Sequence, residues 1–509
     1  MDTLNLLMQG FAVAATPENL MIALIGCFLG TIVGLLPGLG PINGVAILLP
    51  IAFAMKLPPE SALILLCAVY AGCEYGGRIS AILLNVPGDA GAVMTTMDGY
   101  PMAKQGLAGP ALSMSAVASF FGALLATVGI VLFAPLLAEW AIAFGPAEYF
   151  VLMVLALCCL GGLVGDSVVK ALTACLIGLL LSTVGIDANS GVYRYTFDML
   201  HLQDGIPFIV VVIGLFAVSE LMLMLQHQHA SGGAPVTITG RLMFNFKEFM
   251  LAKWTILRCA FAGFFIGVLP GAGATIASAM CYASERRMAG KDHKFGEGDI
   301  RGVAAPEAAN NASANGSLVP MLTLGVPGSG TTAVMIGALT LYNITPGPTL
   351  FQDQPVIVWG LIASLFIANV MLLILNVPLV RLFVKFLSIP NWLLVPGVAA
   401  ISLVGVYAVH GNTFDLILGV LIGGVGYLLR AMNFPIAPFI LGFVLGDMME
   451  QNLRRALSIS DGEVGVLFAS PIAIGLWVGA AAMLIGPRLL RVIEQRRQGA
   501  VAAVAGTAG

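Results

Sequence analysis

Neutral hydrogen-bonding residues are concentrated in one stretch of this chain. From Gly302 to Pro348 it reads GVAAPEAANNASANGSLVPMLTLGVPGSGTTAVMIGALTLYNITPGP, with Glu307 as its single charge. Asn310, Asn311, Asn315 and Ser317, and then Ser329, Thr331 and Thr332, supply neutral donors and acceptors able to line a polar cavity. In the earlier part of the chain Asn43, Arg78 and Asn85 are candidates for the same ligand-binding work. Arg78 is the only basic residue between Lys56 and Lys104, and a guanidinium fork suits a carboxylate. Asp89 follows Pro87-Gly88, where an acid at a broken-helix tip suits coupling to a cation or proton. Plainer readings stand beside these. Arg78 snorkels to an interface, Asp89 caps a helix, and the asparagines bond neighbouring helices. Glu74 and Glu307 cap helices or bridge to arginines, and His410 is structural.

The catalytic signatures are missing. GxxxxGK[ST], HExxH and GxSxG do not occur, and Gly328-Ser329-Gly330 has no nearby His to activate Ser329. The eight cysteines lie in or beside apolar runs without CxxC spacing, which predicts small apolar side chains with no metal or disulfide role. An enzyme is not expected, and a net charge of −3 gives no sign of a nucleic-acid partner. Binding remains, by discontinuous helices whose N-termini face an anion while freed carbonyls and hydroxyls hold a cation.

The elements that position these groups must lie in a membrane. Hydrophobic residues make up 59% of the 509 residues and charged residues 10%, and the mean hydropathy is +0.97. The apolar runs are continuous rather than alternating, which favours helices over a barrel. An all-α integral membrane protein is expected, with roughly 10–13 passages at about 20 residues each, including broken or re-entrant ones. Breaks fall at Pro37, Gly38 and Gly40, at Pro87 and Gly88, at Pro270, Gly271 and Gly273, and at Pro327 and Gly328. Proline removes an N–H and glycine weakens a helix interior. Irregular backbone at membrane depth is tolerated where it lines a polar cavity. The first residues carry no Lys or Arg and precede no small-residue cleavage site, so they are not read as a secretory signal.

The pattern then recurs. Gly34-Leu-Leu-Pro-Gly-Leu-Gly40 is echoed by Gly267-Val-Leu-Pro-Gly-Ala-Gly273, an offset of 267 − 34 = 233. Val86-Pro87-Gly88 returns as Val326-Pro327-Gly328, an offset of 327 − 87 = 240. Pro207 with Ile213-Gly214-Leu215 returns as Pro435 with Leu441-Gly442-Phe443, an offset of 435 − 207 = 228. These landmarks predict a first repeat over 16–225, a polar linker over 226–252, a second repeat over 253–460, a terminal helix over 461–492 and a tail over 493–509. Paired interruptions in two halves point to a transporter's binding site. Basic residues flank the second Pro-Gly element on both sides, from Arg241 to Arg258 and from Arg286 to Arg301, whereas the first has acids before it and only Lys56 after it. By the positive-inside rule the halves are inverted, with Cys259–Ser284 a re-entrant hairpin of two arms of roughly 11 residues, about 16 Å each. Arg488, Arg491, Arg496 and Arg497 put the C-terminus in the cytoplasm. The basic loop is an orientation signal first and a partner contact second.

Several long motifs also resemble a known family. GTIVGLLPGLGPINGVAILLP, YGGRISAILLNVPGDAGAVMTTMDGYPMAKQG, GVLPGAGATIASA and the stretch through GDIRGVAAPEAANNASANGSLVPMLTLGVPGSG are similar to the large membrane subunit of the tripartite tricarboxylate transporters, the TctA family, from about Thr16 to the Ser458 region. The resemblance implies a multi-pass permease of the bacterial inner membrane. It would work with a small TctB-like membrane subunit and a periplasmic TctC-like binding protein. No cofactor is implied beyond a coupling Na+ or H+, and the GGRIS and TPENL segments resemble the citrate-type branch. The resemblance implies that members can carry Ser at the Arg78 position, which makes Arg78 a substrate-tuning residue if it meets a carboxylate. A passive channel for organic anions is the alternative. It shares the broken elements and needs no coupling ion.

Overall fold

The computed structural model describes residues 3–163, 167–187, 190–226, 241–271, 273–290, 294–387, 389 and 391–483. It is an all-helical membrane protein. Among the described residues the one sheet is a two-stranded antiparallel ribbon, β1 (Gly185–Ile186) with β2 (Tyr193–Arg194). Among the described residues eight helices are long and apolar enough to cross a membrane, and shorter apolar helices accompany them.

The first half begins with α1 (Thr3–Ala14), α2 (Pro17–Leu35), α3 (Gly40–Ala54) and α4 (Pro59–Leu84). Next come α5 (Val93–Met102) and α6 (Ala108–Ala141), joined across a wide turn that kinks at Gly106, where φ is 79°. α7 (Pro146–Leu163), α8 (Val168–Ser182), α9 (Phe208–Val212) and α10 (Ser219–Gln226) complete it, the last two forming one continuous rod. The second half holds α11 (Phe246–Val268), α12 (Gly273–Met288), α13 (Ile300–Gly316), α14 (Leu318–Leu324), α15 (Gly330–Leu341), a single turn α16 (Leu350–Asp353) and α17 (Pro355–Asn376). The chain continues through α18 (Val380–Phe386), α19 (Asn391–His410), α20 (Thr413–Ala431), α21 (Ile436–Ile459) and α22 (Pro471–Met483).

All four Pro-Gly clusters interrupt helices: α2 from α3, α4 from α5, α11 from α12, and α14 from α15. The local chemistry explains each stop. Gly38, Gly40, Gly271 and Gly273 take φ of 90°, 59°, 78° and 66°, a region that costs other residues a clash of Cβ with the backbone. α4 ends on Asn85 at φ 60° and α14 on Gly325 at φ 68°, left-handed caps that stand 325 − 85 = 240 positions apart.

The packing also repeats at the offsets seen in the sequence. A Cβ on Gly30 would strike the Val69 carbonyl and one on Gly34 the Cys73 carbonyl, so α2 lies directly against α4. A Cβ on Gly263 would strike the Ala309 carbonyl and one on Gly267 the Ser313 carbonyl, which sets α11 equally close to α13. Each glycine pair is separated by 233 positions and each facing pair by 240. Small residues permit such approach in lipid, where dispersion rather than water drives helix association.

The halves then cover one another. α6 lies along α11 and α13, while α17 lies along α2 and α4. Polar bonds pin these crossings: Asn315 Nδ2 donates to Thr127 Oγ1 at 3.0 Å and to the Ala123 carbonyl at 3.2 Å. The Tyr75 hydroxyl donates to Asn369 Oδ1 at 2.8 Å, and Asn369 Nδ2 reaches the Phe120 carbonyl at 2.9 Å. Apart from this bundle, α21 packs on α7 and α8, and α20 packs on the rod of α9 and α10.

Some boundaries differ from expectation. The hairpin turns at Pro270-Gly271, but its arms α11 and α12 have 23 and 16 residues, and α11 is long enough to cross a membrane. A capping box between Asn245 and Glu248 starts α11 well before Cys259, which converts the end of the expected linker into helix. The terminal helix starts at Pro471, after a short 3₁₀ turn at Val464–Phe468. Residues 227–240 of the linker and the tail with its four arginines lie outside the described residues, as do the grounds for placing the C-terminus.

Candidate functional site

The four interruptions meet at one cavity of about 620 Å³. Its wall takes Gly38 and Gly40 from the first break, Pro87, Gly88 and Asp89 from the second, Gly271 and Gly273 from the third, and Ser329, Gly330 and Thr331 from the fourth. Contacts between breaks hold them in place. The Gly271 N–H donates to the Gly328 carbonyl at 3.0 Å, and the Gly88 N–H to the Gly77 carbonyl at 3.2 Å. Gly88 has no room for a side chain, because its Cβ would overlap the Gly34 carbonyl and approach the Gly77 Cα at 2.6 Å. Gly328 meets the Ser317 Cα at 2.7 Å in the same way. Pro37, Pro270 and Pro327 sit behind the wall, where they break the helices without lining the space.

Helices α3, α12 and α15 begin at this wall, at Gly40, Gly273 and Gly330, as does α5 at Val93. The first turn of a helix carries unsatisfied N–H groups and a partial positive charge, a favourable environment for an anion. Ser329 caps α15, with its Oγ accepting from Thr332 N at 3.2 Å and Thr332 Oγ1 accepting from Ser329 N at 2.8 Å. Thr332 therefore serves the cap, while Ser329 and Thr331 face the cavity. Asn43 also lines the wall, and its amide donates back to the Gly38 and Leu39 carbonyls at the break.

Other expected residues lie elsewhere. Arg78 is fully buried but is not part of the cavity wall. Its Nη1 donates to the Leu112 carbonyl at 2.8 Å and to Ser115 Oγ at 2.5 Å, and its guanidinium lies 5.4 Å from the Tyr75 ring centre. Among the described residues it makes no ion pair. Its complete burial away from the wall means that it neither snorkels to an interface nor faces the cavity. Asn85 is exposed and serves as the left-handed cap of α4. Asn311 bonds the Glu307 carbonyl at 3.1 Å, and Asn315 bonds α6. Ser317 stands one contact behind the wall, 3.3 Å from the Tyr70 hydroxyl and 3.4 Å from Ser329 Oγ. Asp89 does not cap α5, whose N-cap is Ala92. Its Oδ2 accepts from Gly91 N at 3.1 Å, and its Oδ1 is buried without a partner.

Tyr70 and Arg430, not singled out from sequence, also line the space, as does Glu74, for which the sequence suggests a helix cap or a bridge to an arginine. Tyr70 and Glu74 stand one turn apart on α4, and Glu74 Oε2 accepts from Asn310 Nδ2 at 2.8 Å. Shifting the first half by 240 positions sets Tyr70 against Asn310, a signal that would have found this face. Arg430 is the one basic residue on the wall among the described residues. It pairs with Glu220, and its Nη2 donates to the Leu215 carbonyl at 3.4 Å. In the sequence it is only a base in the last turn of a helix. Glu307 is buried behind the cavity and accepts from Thr95 at 2.5 Å and Ser119 at 3.0 Å. His410 pairs with Asp415 at 2.8 Å, away from the cavity.

Comparison with known proteins points the same way. The model of the tripartite tricarboxylate transporter TctA family matches residues 20–441. A protein of Agrobacterium vitis described as an uncharacterized 52.8 kDa protein in the TAR-I ttuC' 3'region is 42% identical over 498 residues, covering 98% of each chain. A second Agrobacterium vitis protein, described as an uncharacterized protein in the TAR-II ttuC' 3'region, is 42% identical over 235 residues, which is 46% of this chain and 97% of that protein. No solved structure matches.

Proposed function

Because this chain belongs to the tripartite tricarboxylate transporter TctA family, we propose that it is the large permease subunit that imports a tricarboxylate such as citrate across the bacterial inner membrane, driven by a Na+ or H+ gradient. A small TctB-like membrane subunit and a periplasmic TctC-like protein complete the assembly, the latter delivering the solute. The convergence of four helix breaks on a single cavity carries this reading. A volume of about 620 Å³ falls within the range of roughly 300–1,000 Å³ usual for small-molecule sites.

The wall chemistry suits an anion that travels with cations. Helix starts at Gly40, Gly273 and Gly330, the hydroxyls of Ser329 and Thr331, and the Arg430 guanidinium attract carboxylates. Glu74 and Asp89 repel them. At an effective dielectric of about 20, two like charges ~6 Å apart repel by about 3 kcal/mol, so a trianion enters readily only when protons or cations neutralise these acids. Coupled cations also offset the work of moving charge, about 2.3 kcal/mol per charge per 100 mV. The recurring contacts at 233 and 240 positions support two duplicated halves, and the basic flanks of the second half support their inversion.

The test is accumulation of labelled citrate in proteoliposomes holding all three subunits, with the Na+ gradient and the proton gradient imposed separately. Accumulation with one of them and none without either is expected. Equilibration that survives collapse of both gradients would instead identify a passive channel.

A further inference from the structure

Two acids and an amide meet at the back of the cavity, and their arrangement calls for a positive charge. Glu74 and Asp89 both line the wall. Asn310 is wholly buried; it donates its Nδ2 to Glu74 Oε2 at 2.8 Å, which leaves its Oδ1 without a partner. That oxygen is directed at Gly91, itself part of the wall. A Cβ on Gly91 would overlap Asn310 Oδ1 and lie 2.9 Å from Asp89 Oδ2. The other Asp89 oxygen is also buried and unpartnered. Among the described residues no Lys, Arg or His forms an ion pair with either acid.

An amide oxygen beside a carboxylate oxygen is an unfavourable pairing, since both are acceptors and neither has a proton to share. Buried polar groups persist when something satisfies them, and oxygen atoms alone are the donor set of hard cations. We propose that Glu74, Asp89 and Asn310 form a binding site for a monovalent alkali cation of the Na+ type, held by both carboxylates and the Asn310 amide oxygen beside Gly91. The inference rests on the transport reading and names its coupling ion. The cation replaces the repulsion of Glu74 and Asp89 with a net attraction for a carboxylate, so each ion raises the affinity for the other. Asn310 belongs to α13 and the two acids to α4 and the loop after it, so the ion bridges the two halves.

Equilibrium binding of ²²Na+ to the purified full-length chain in lipid nanodiscs, with choline as the replacement cation, tests the site. Saturable binding is expected, weakened at least tenfold by Asp89→Asn, Glu74→Gln and Asn310→Ala, and restored in part by Asn310→Asp, which keeps an oxygen in place. A measurement on the unaltered chain guards against variants that fail to fold. Na+, and not choline, protects Glu74 and Asp89 from carbodiimide labelling read by peptide mass spectrometry. Absence of saturable binding, affinity unchanged in the folded variants, or labelling indifferent to Na+ overturns the proposal. Citrate accumulation driven by a proton gradient alone overturns the alkali-cation site and leaves the transport reading standing. Na+ binding here without any anion uptake by the full assembly does the reverse.

Discussion

The Tyr282 hydroxyl donates to Asp98 Oδ2 at 2.8 Å, joining α12 of the second half to α5 of the first. The other Asp98 oxygen accepts from the backbone N–H groups of Gly296, Gly298 and Asp299 at 2.8, 3.0 and 2.8 Å. One fully buried carboxylate thus organises the loop that leads into α13 and fixes it against the opposite half. Hydrogen bonds to a charged group contribute about 1.5–3 kcal/mol each. Asp98→Asn, which keeps one acceptor but removes the charge, is expected to destabilise the chain by about 3 kcal/mol. Asp98→Ala should cost more. Thermal unfolding of the purified protein in detergent checks both, and unchanged melting in Asp98→Ala would refute this role.

Close helix contact makes a second prediction. Gly34→Val and Gly267→Val both drive a side chain into the facing backbone, at Cys73 and Ser313. Each should sharply reduce the yield of folded, monodisperse protein, and by similar amounts, because the two contacts are counterparts. Gly424→Ala, where nothing lies within 4 Å, should be tolerated. Fluorescence-detected gel filtration of membrane extracts separates these outcomes.

Arg430 supplies a third. As the basic group on the wall, its loss in Arg430→Ala should raise the KM for citrate uptake about 10–100-fold, the worth of one charge-assisted hydrogen-bonded contact. Arg430→Lys retains charge without the planar fork and should fall between. Glu220→Gln distinguishes substrate binding from simple pairing, since it frees the guanidinium and should leave KM unchanged or lower it. Initial uptake rates by the reconstituted assembly give all three values.

Arg78 should behave differently. Arg78→Ser takes away a donor to the Leu112 carbonyl and leaves space beside Tyr75. A loss of about 1–3 kcal/mol of stability is expected from the lost hydrogen bonds and the void. Preference among tri- and dicarboxylates should be unaltered, because Arg78 does not line the cavity. A change of preference in competition uptake would return Arg78 to the substrate site.

The elements around the site are legible in the chain to different depths. Continuous apolar runs and Pro-Gly clusters report local costs, the price of a polar backbone in lipid and of a missing N–H or a positive φ, so the helices and their four interruptions could be read residue by residue. The family resemblance rested on those same motifs. Helix boundaries at Phe246 and Pro471 were harder, since capping chemistry and apolar content disagree there.

Which side chains share a wall was beyond local reading. Asn310 and Glu74 are 236 positions apart and bond because α13 packs against α4 behind the cavity wall. Arg78 and Arg430 look alike as isolated cations among apolar residues, and only the packing sends one against Tyr75 and the other to the cavity. By itself the sequence determined the membrane environment, the helical class and the places where helices break, because each follows from short-range backbone and solvation energies. The tertiary structure alone decided that the four breaks converge and which acids, amide and guanidinium meet there, because contacts between distant segments depend on how glycine faces let whole helices approach.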